Sequence, residues 1–140
     1  MAAIAEWPDR IKYIFGTPEY PENGLFSFYF FQKGISHKVT IDDRLPVMQW
    51  GKSLLPINIR KSPNGAWWGP IMEKAAAKFY GRYENMDAGF QVESLYALTG
   101  MPTFQLNHDK TTDSHLWSLI SNFDRNDYIM TTSVIKTDKI

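Results

Sequence analysis

Few residues in this sequence are of a type that could carry out catalysis, and their spacing does not join them. The 140-residue chain has three histidines and no cysteine. Asp113-Ser114-His115 contains the three residue types of a hydrolase triad, in which a base activates a nucleophile and a third group orients the base. Neighbours on a helix point about 100° apart, so these three cannot form a relay among themselves. Helix capping and surface roles are favoured for them.

Two further histidines and one pair of carboxylates complete the candidates. His37 lies in a predicted strand, where a partly buried or edge position is expected, and His108 lies in a polar loop, where it is expected to be solvated. Asp42 and Asp43 are adjacent in an extended run and face opposite sides, so a shared metal or proton is not expected. Turn formation, including pairing with Arg44, is favoured. The sequence therefore predicts no catalytic residue, no cofactor-binding residue and no metal ligand.

Composition excludes several classes of function. Lys plus Arg and Asp plus Glu balance at 15 each, so no long-range field is expected to attract nucleic acid or an anionic membrane. No apolar run approaches the roughly 20 residues of a membrane span. No basic residue precedes the short apolar run after Met1, which is unlike a signal peptide. An intracellular protein, cytoplasmic or cytoskeleton-associated, is predicted. The lack of cysteine also excludes disulfides and thiolate metal sites.

The strand signals come mainly from the first half of the chain. Gly24–Lys33 is almost wholly apolar or aromatic, which predicts a strand covered on both faces. Its aromatic side chains are expected to pack in a core, because no basic residues interleave them as in a base-stacking surface. Gly34 is a turn residue, and residues 35–41 alternate, so a β-hairpin is predicted. Short extended pieces are expected across Val47–Ile59, and a last strand across Tyr128–Val134.

Helical patterns flank these strands. Pro8 suits the first position of a short helix that follows Ala2–Trp7. Asn64 is a predicted N-cap for a helix that begins near Ala66 and ends at Gly81. That helix has one apolar face, made by Trp67, Ile71, Ala75 and Phe79.

Two more helices follow, and together the elements indicate the fold class. One runs from Phe90 to Leu98 and ends at Gly100. The other is capped by Thr112 or Asp113, and its inner stripe is Leu116, Leu119, Ile120 and Phe123. The order of helix, hairpin, two helices, helix and strand predicts an α+β fold with an antiparallel sheet. The break at Thr99–Thr103 is the predicted boundary between two packing units.

Five motifs, in the same order and at similar spacing, resemble the catalytic core of the calpain family of cysteine peptidases. Each motif is unspecific alone, and the resemblance rests on their order along nearly the whole chain. Ala2-Ala3-Ile4-Ala5 resembles the helix after the catalytic cysteine, and Gly24–Phe31 followed by Val39-Thr40-Ile41-Asp42-Asp43-Arg44-Leu45-Pro46 resembles the "xVxVDDxLP" hairpin. The other three are Trp68 with Glu73–Lys78, which resembles "FWxxLLEKAYAK"; Gly81-Arg82-Tyr83-Glu84, which resembles "GSYE"; and Leu98-Thr99-Gly100, which resembles "FTGG".

The resemblance implies a truncated papain-like fold with a cleft between two subdomains. Residues 1–100 would be part of the first subdomain and residues 101–140 the start of the second. The family's cysteine would lie before Met1 and its histidine and asparagine after Ile140, so no residue here matches the triad. The chain would then be a catalytically incompetent segment of a calcium-dependent cysteine endopeptidase. The alternative is a non-catalytic structural or interaction module held in a larger protein assembly.

The resemblance also bears on cofactors and partners. In the first subdomain of the family, one calcium ligand is an acidic residue two positions before the helix tryptophan, here Trp68. This chain has Ala66 at that position, and alanine has no side-chain oxygen to offer Ca²⁺. No calcium or other cofactor is therefore expected. The expected partners are the remaining protease subdomains or another protein, and neither nucleic acid nor a membrane is expected.

Overall fold

The computed structural model describes residues 2–16, 19–86 and 89–133. The helices and strands in chain order are α1 (Ala2–Ala5), α2 (Pro8–Ile14), β1 (Leu25–Gln32), β2 (Ile35–Asp42), β3 (Val47–Trp50), β4 (Ser53–Pro56), α3 (Trp68–Phe79), α4 (Gln91–Thr99) and α5 (Asp113–Arg125). Short 3-10 turns cover Tyr83–Met86 and His108–Lys110. The predicted α+β class with antiparallel strand pairing is confirmed.

The first hairpin, β1–β2, is the predicted one. Its strands pair from Leu25–Asp42 to Gln32–Ile35, and both turn residues have positive φ, as a type I′ turn requires. Phe26, Phe28 and Phe30 of β1 are buried, whereas Leu25 and Tyr29 are 44% and 40% exposed. The prediction that both faces are covered is therefore correct only in part. Helices cover one face of this two-stranded sheet, and the other face meets solvent along much of its length.

The core lies between the buried face of the first hairpin and the helices. α3 contributes Ile71, Met72 and Ala75, all of which are buried. Phe79 at the end of α3 stacks on Phe30, with ring centroids 4.9 Å apart. α1 adds Ile4, which is fully buried. The predicted inner face of α3 is confirmed for its helical residues.

Helix starts and ends follow the sequence signals with one exception. Pro8 opens α2, and Gly100 ends α4 with φ of 68°, in the left-handed region. The prediction that Asn64 caps α3 is wrong, because α3 begins only at Trp68. The Asn64 carboxamide oxygen instead accepts the backbone N–H of Ala66, 3.3 Å away. Gly65 has φ of 84°, so the chain makes a closed loop there before it can enter a helix.

The second hairpin, β3–β4, is shorter than the first. Its pairs run from Val47–Pro56 to Trp50–Ser53. The two turn residues are Gly51, with φ of 59°, and Lys52, whose φ is not positive. A positive φ at the first turn position alone is the pattern of a type II′ turn. The sequence predicts only short extended pieces here.

The last part of the chain departs most from the sequence predictions. α5 forms as predicted, but none of its residues is buried. The predicted strand Tyr128–Val134 is wrong over residues 128–133, which have no strand structure, and Val134 lies outside the described residues. A strand needs ladder partners, and this segment is instead held by Gln91, which accepts the Thr131 hydroxyl at 2.9 Å.

Candidate functional site

The three candidate triad residues lie in the first turn of α5 without contacting one another as a relay. Asp113 Oδ1 is 3.5 Å from His108 Nε2, and both side chains are exposed. Ser114 Oγ is 3.5 Å from Thr112 Oγ1. Neither contact joins Ser114 to His115, so no base is in position to activate the hydroxyl.

The two adjacent aspartates have different partners. Asp42 accepts the backbone N–H of Arg44 at 3.0 Å and forms an ion pair with Lys74. The hydrogen bond from Lys74, followed by that from Arg44, lowers the pKa of Asp42. Asp43 instead accepts the hydroxyl of Tyr20 at 2.5 Å, which raises the pKa of that tyrosine. The two carboxylates therefore accept hydrogen bonds from different donors, and the predicted pairing with Arg44 is made by its backbone N–H.

Lys74 and Lys78 attach α3 to the outer edge of β2. Lys74 Nζ donates to the carbonyl of Arg44 at 2.6 Å, besides its contact with Asp42. Lys78 Nζ donates to the carbonyl of Thr40 at 2.7 Å. This role is not predicted from the sequence, although the two lysines are spaced i, i+4 and so share one helix face. The two lysines belong to one of the motifs that carry the resemblance, and the groups they bond belong to another. These contacts hold the helix against the strand.

A cavity of about 330 Å³ lies between the α1–α2 corner and the segment that ends α5. Arg10 helps to join its two sides, because one guanidinium nitrogen lies 3.7 Å from Glu6 and another donates to the carbonyl of Asp127. Its lining residues are Ala3, Glu6, Trp7, Asp124, Asp127, Tyr128 and Met130. The described residues of this lining include no histidine, serine or threonine, so they offer carboxylates without a pair of serine or threonine nucleophile and histidine base.

The histidines and carboxylates do not gather into a metal site in the part of the chain that the structure describes. His37 is exposed on β2, with its ring 5.9 Å from that of Phe79, and His108 and His115 lie on separate elements. Among the described residues, no three His, Asp or Glu side chains are grouped so that they could hold a metal ion. No helix within the same ranges combines the length and apolar character needed to cross a bilayer.

The loop that contains Ala66 is closed by hydrogen bonds among its own residues. The backbone N–H of Ala66 lies 3.1 Å from Ser62 Oγ and 3.3 Å from Asn64 Oδ1. The Ser62 hydroxyl also donates to Asn64. The side-chain oxygens of this loop are therefore engaged in closing it, and Ala66 adds only a methyl group.

Known proteins are similar to this chain over part or all of its length. A family profile described as "Calpain family cysteine protease" matches residues 1–140. Human calpain-14 is 35% identical over 97 residues, which are 69% of this chain and 14% of the relative. The calpain-type cysteine protease DEK1 of Zea mays is 29% identical over 137 residues, 91% of this chain and 6% of the relative.

A fungal relative gives a similar result. The calpain-like protease palB/RIM13 of Aspergillus oryzae is 34% identical over 119 residues, which are 83% of this chain and 14% of that protein. This chain thus spans 14% or less of the length of these three curated relatives.

Proposed function

Because the chain belongs to the calpain family of cysteine proteases, we propose that it forms part of a papain-like protease scaffold and supplies no catalytic side chain itself. The observation that carries this is the absence of cysteine from all 140 residues. A cysteine protease requires a thiolate as its nucleophile. The hydroxyl of Ser114 is no substitute, because no histidine is positioned to take its proton.

The ordered core supports a scaffold role. Lys74 and Lys78 tie α3 to β2, and Phe30 stacks on Phe79 between the two elements. In a papain-like protein such a unit would form one wall of the cleft and position groups from other parts of the chain. Residues 1–100 would belong to the first subdomain and residues 101–140 to the second. We place the protein inside the cell, with the remaining protease subdomains as its partners and with neither nucleic acid nor a membrane among them.

The proposal extends to calcium. The calcium dependence associated with the family does not arise from the loop before α3 in this chain. Ala66 offers no side-chain oxygen, and the oxygens of Ser62 and Asn64 already bond within the loop. A hard cation needs six or more oxygen ligands. Residues 62–66 are therefore expected to bind no Ca²⁺.

A second candidate function is a non-catalytic interaction module, and exposed apolar side chains favour it. None of the residues of α5 is buried, and Trp117 on this helix is 71% exposed. Phe104 and Tyr128, which flank the α5 residue Phe123, are 62% and 56% exposed. Apolar surface of this kind marks a region that another polypeptide covers.

Two measurements on the protein from its natural source separate the candidates. The first is its intact mass, and the second is thiol-dependent cleavage of a peptide. A mass several times the 16.2 kDa of this chain, with cleavage activity, is expected if the chain is part of a protease. A mass near 16.2 kDa without cleavage supports the module. Thiol-dependent cleavage by a protein of 16.2 kDa would contradict both.

A further inference from the structure

The second hairpin has two strands, so β3 and β4 each have one edge without a neighbouring strand in the described part of the chain. Trp50 and Ser53 close the two-residue turn and therefore form a hydrogen-bonded pair. Such pairs alternate with non-hydrogen-bonded pairs along an antiparallel ladder. The bond from Ile57 N to the carbonyl of Pro46, 3.4 Å long, fits this alternation.

The alternation determines which backbone groups point away from the hairpin. On β3 they are the N–H and C=O groups of Val47 and Gln49, which we call the β3 edge. On β4 they belong to Leu54 and Pro56, and proline has no N–H to donate. The β3 edge therefore offers two donors and two acceptors, whereas the edge of β4 lacks one donor.

The β3 edge is short, at four residues, but it lacks the other features by which sheets usually prevent strand addition. β3 contains no proline, no charged residue and no bulge. All four of its residues are exposed, and Val47 and Trp50 are 41% and 72% exposed. The exposed residues Met48 and Leu54 add apolar surface to the hairpin. The surface thus combines unused backbone hydrogen-bonding groups with apolar side chains.

The sequence around this hairpin is mainly basic, and the carboxylate of Glu73, which follows it, accepts the backbone N–H of Ile59 at 3.2 Å. Residues 45–72 contain three cations, Lys52, Arg60 and Lys61, and no aspartate or glutamate. Lys61 Nζ lies 4.2 Å above the ring of Trp67. Among the described residues, no carboxylate forms an ion pair with any of the three cations. A chain without net charge therefore has a locally basic segment, which favours an acidic partner.

We propose that the β3 edge binds an extended, acidic segment of a partner protein as a third strand of the β3–β4 sheet. Backbone groups of Val47 and Gln49 hydrogen-bond the added strand, and the exposed apolar side chains contact its alternate residues. A lipid surface is a poorer match because it cannot pair with a row of backbone N–H and C=O groups. A second copy of this chain would bring like charges together. This interaction is independent of proteolysis.

The test is calorimetric titration of the full-length protein with two synthetic peptides. In one peptide glutamate alternates with valine, and in the other lysine replaces glutamate. The first is expected to bind and the second is not. Gln49→Pro removes an outward N–H that makes no bond to β4, and it is expected to weaken binding about tenfold. Gln49→Val is the matched control, since both variants lose the side-chain bond to the Gly51 carbonyl, and it should keep its affinity.

A second variant covers the case in which Gln49→Pro disturbs the hairpin. Lys52→Glu changes only an exposed turn residue and is expected to weaken binding and its dependence on salt. Equal affinity of the Gln49→Pro and Gln49→Val proteins for the acidic peptide, equal binding of the two peptides, or no binding of either would overturn the assignment. So would self-association that Gln49→Pro abolishes, or binding to anionic phospholipid vesicles without binding to the peptide.

Discussion

The two hairpins of this chain share a backbone design and differ in what covers their edges. In the first hairpin, the carbonyl of Ser27 on the outer edge of β1 accepts the N–H of Gly16 at 2.8 Å. On the outer edge of β2, Lys78 and Lys74 donate to the carbonyls of Thr40 and Asp42. The second hairpin has no such contacts from the described residues on its β3 edge.

The side chains on the two hairpins also differ in how far they are covered. Phe28 in the first is fully buried and lies 4.4 Å, between ring centroids, from Phe15. Trp50 in the second is 72% exposed. The comparison shows that strand pairing alone does not decide what a hairpin does. The first hairpin organises the core because helices cover one face and neighbouring groups bond to both of its outer edges. The second leaves the β3 edge without a bonded neighbour in the part of the chain that the structure describes.

The largest effect expected from this difference is on stability. Phe28→Ala in the first hairpin should lower the free energy of unfolding by about 3–5 kcal/mol, because it leaves a cavity in the core. Trp50→Ala in the second should change it by less than about 0.5 kcal/mol. Urea denaturation of the full-length protein, followed by circular dichroism, measures both. Similar losses for the two variants would contradict the contrast.

Glycine substitutions give a smaller effect that sharpens the comparison. Gly100 has φ of 68°, and a Cβ there would lie 2.8 Å from the ring of Phe31 in β1. Gly100→Ala combines backbone strain with this clash and should cost about 3 kcal/mol. Gly51 has φ of 59° with open space around it, so Gly51→Ala should cost about 1 kcal/mol from strain alone. Thermal unfolding midpoints of the two variants should follow this order, and the reverse order would refute it.

The smallest effect is a pH dependence of the contact between α3 and β2. Because the pKa of Asp42 is lowered in the folded protein, its contribution to stability is present above its unfolded pKa of about 3.9. That contribution is lost as pH falls through the lower folded pKa. The difference in unfolding free energy between wild type and Lys74→Met should therefore be constant near neutral pH and shrink below about pH 4.

Lys12→Met is the matched control for this titration. Lys12 pairs with Asp9 at 3.0 Å, but both side chains are largely exposed, so solvent screens the pair. The difference between this variant and wild type should be small at every pH. A difference for Lys74→Met that persists unchanged to low pH would exclude the Asp42 contact as its cause.

Much of the first hairpin and of the helices could be predicted from the sequence because local rules govern them. Gly34 and Gly100 adopt the left-handed conformations that glycine favours, and Pro8 begins a helix as expected. The prediction of a strand failed over residues 128–133 because β-branched and aromatic residues indicate a strand without showing whether a partner strand is available. Asn64 failed as a cap because its side chain closes a loop instead.

In the candidate site, too, features set by the local sequence could be predicted, and features set by contacts between distant residues could not. The missing cysteine, and with it the missing thiolate, is visible in the sequence alone. The bond between Lys74 and Asp42 joins residues 32 positions apart, and no periodicity in the sequence predicts it. The β3 edge was also missed, although Gly51 followed by one residue between two apolar runs is a signal for a two-residue hairpin turn.

The most direct test of the contrast between the hairpins is amide hydrogen exchange in the full-length protein. The inward-pointing amides of Phe26, Phe28 and Phe30 are expected to exchange most slowly. The outward-pointing amides of Val47 and Gln49 should exchange fast, and they should slow when the acidic peptide is added. Exchange at Val47 and Gln49 as slow as at Phe28, before any peptide is added, would contradict the account.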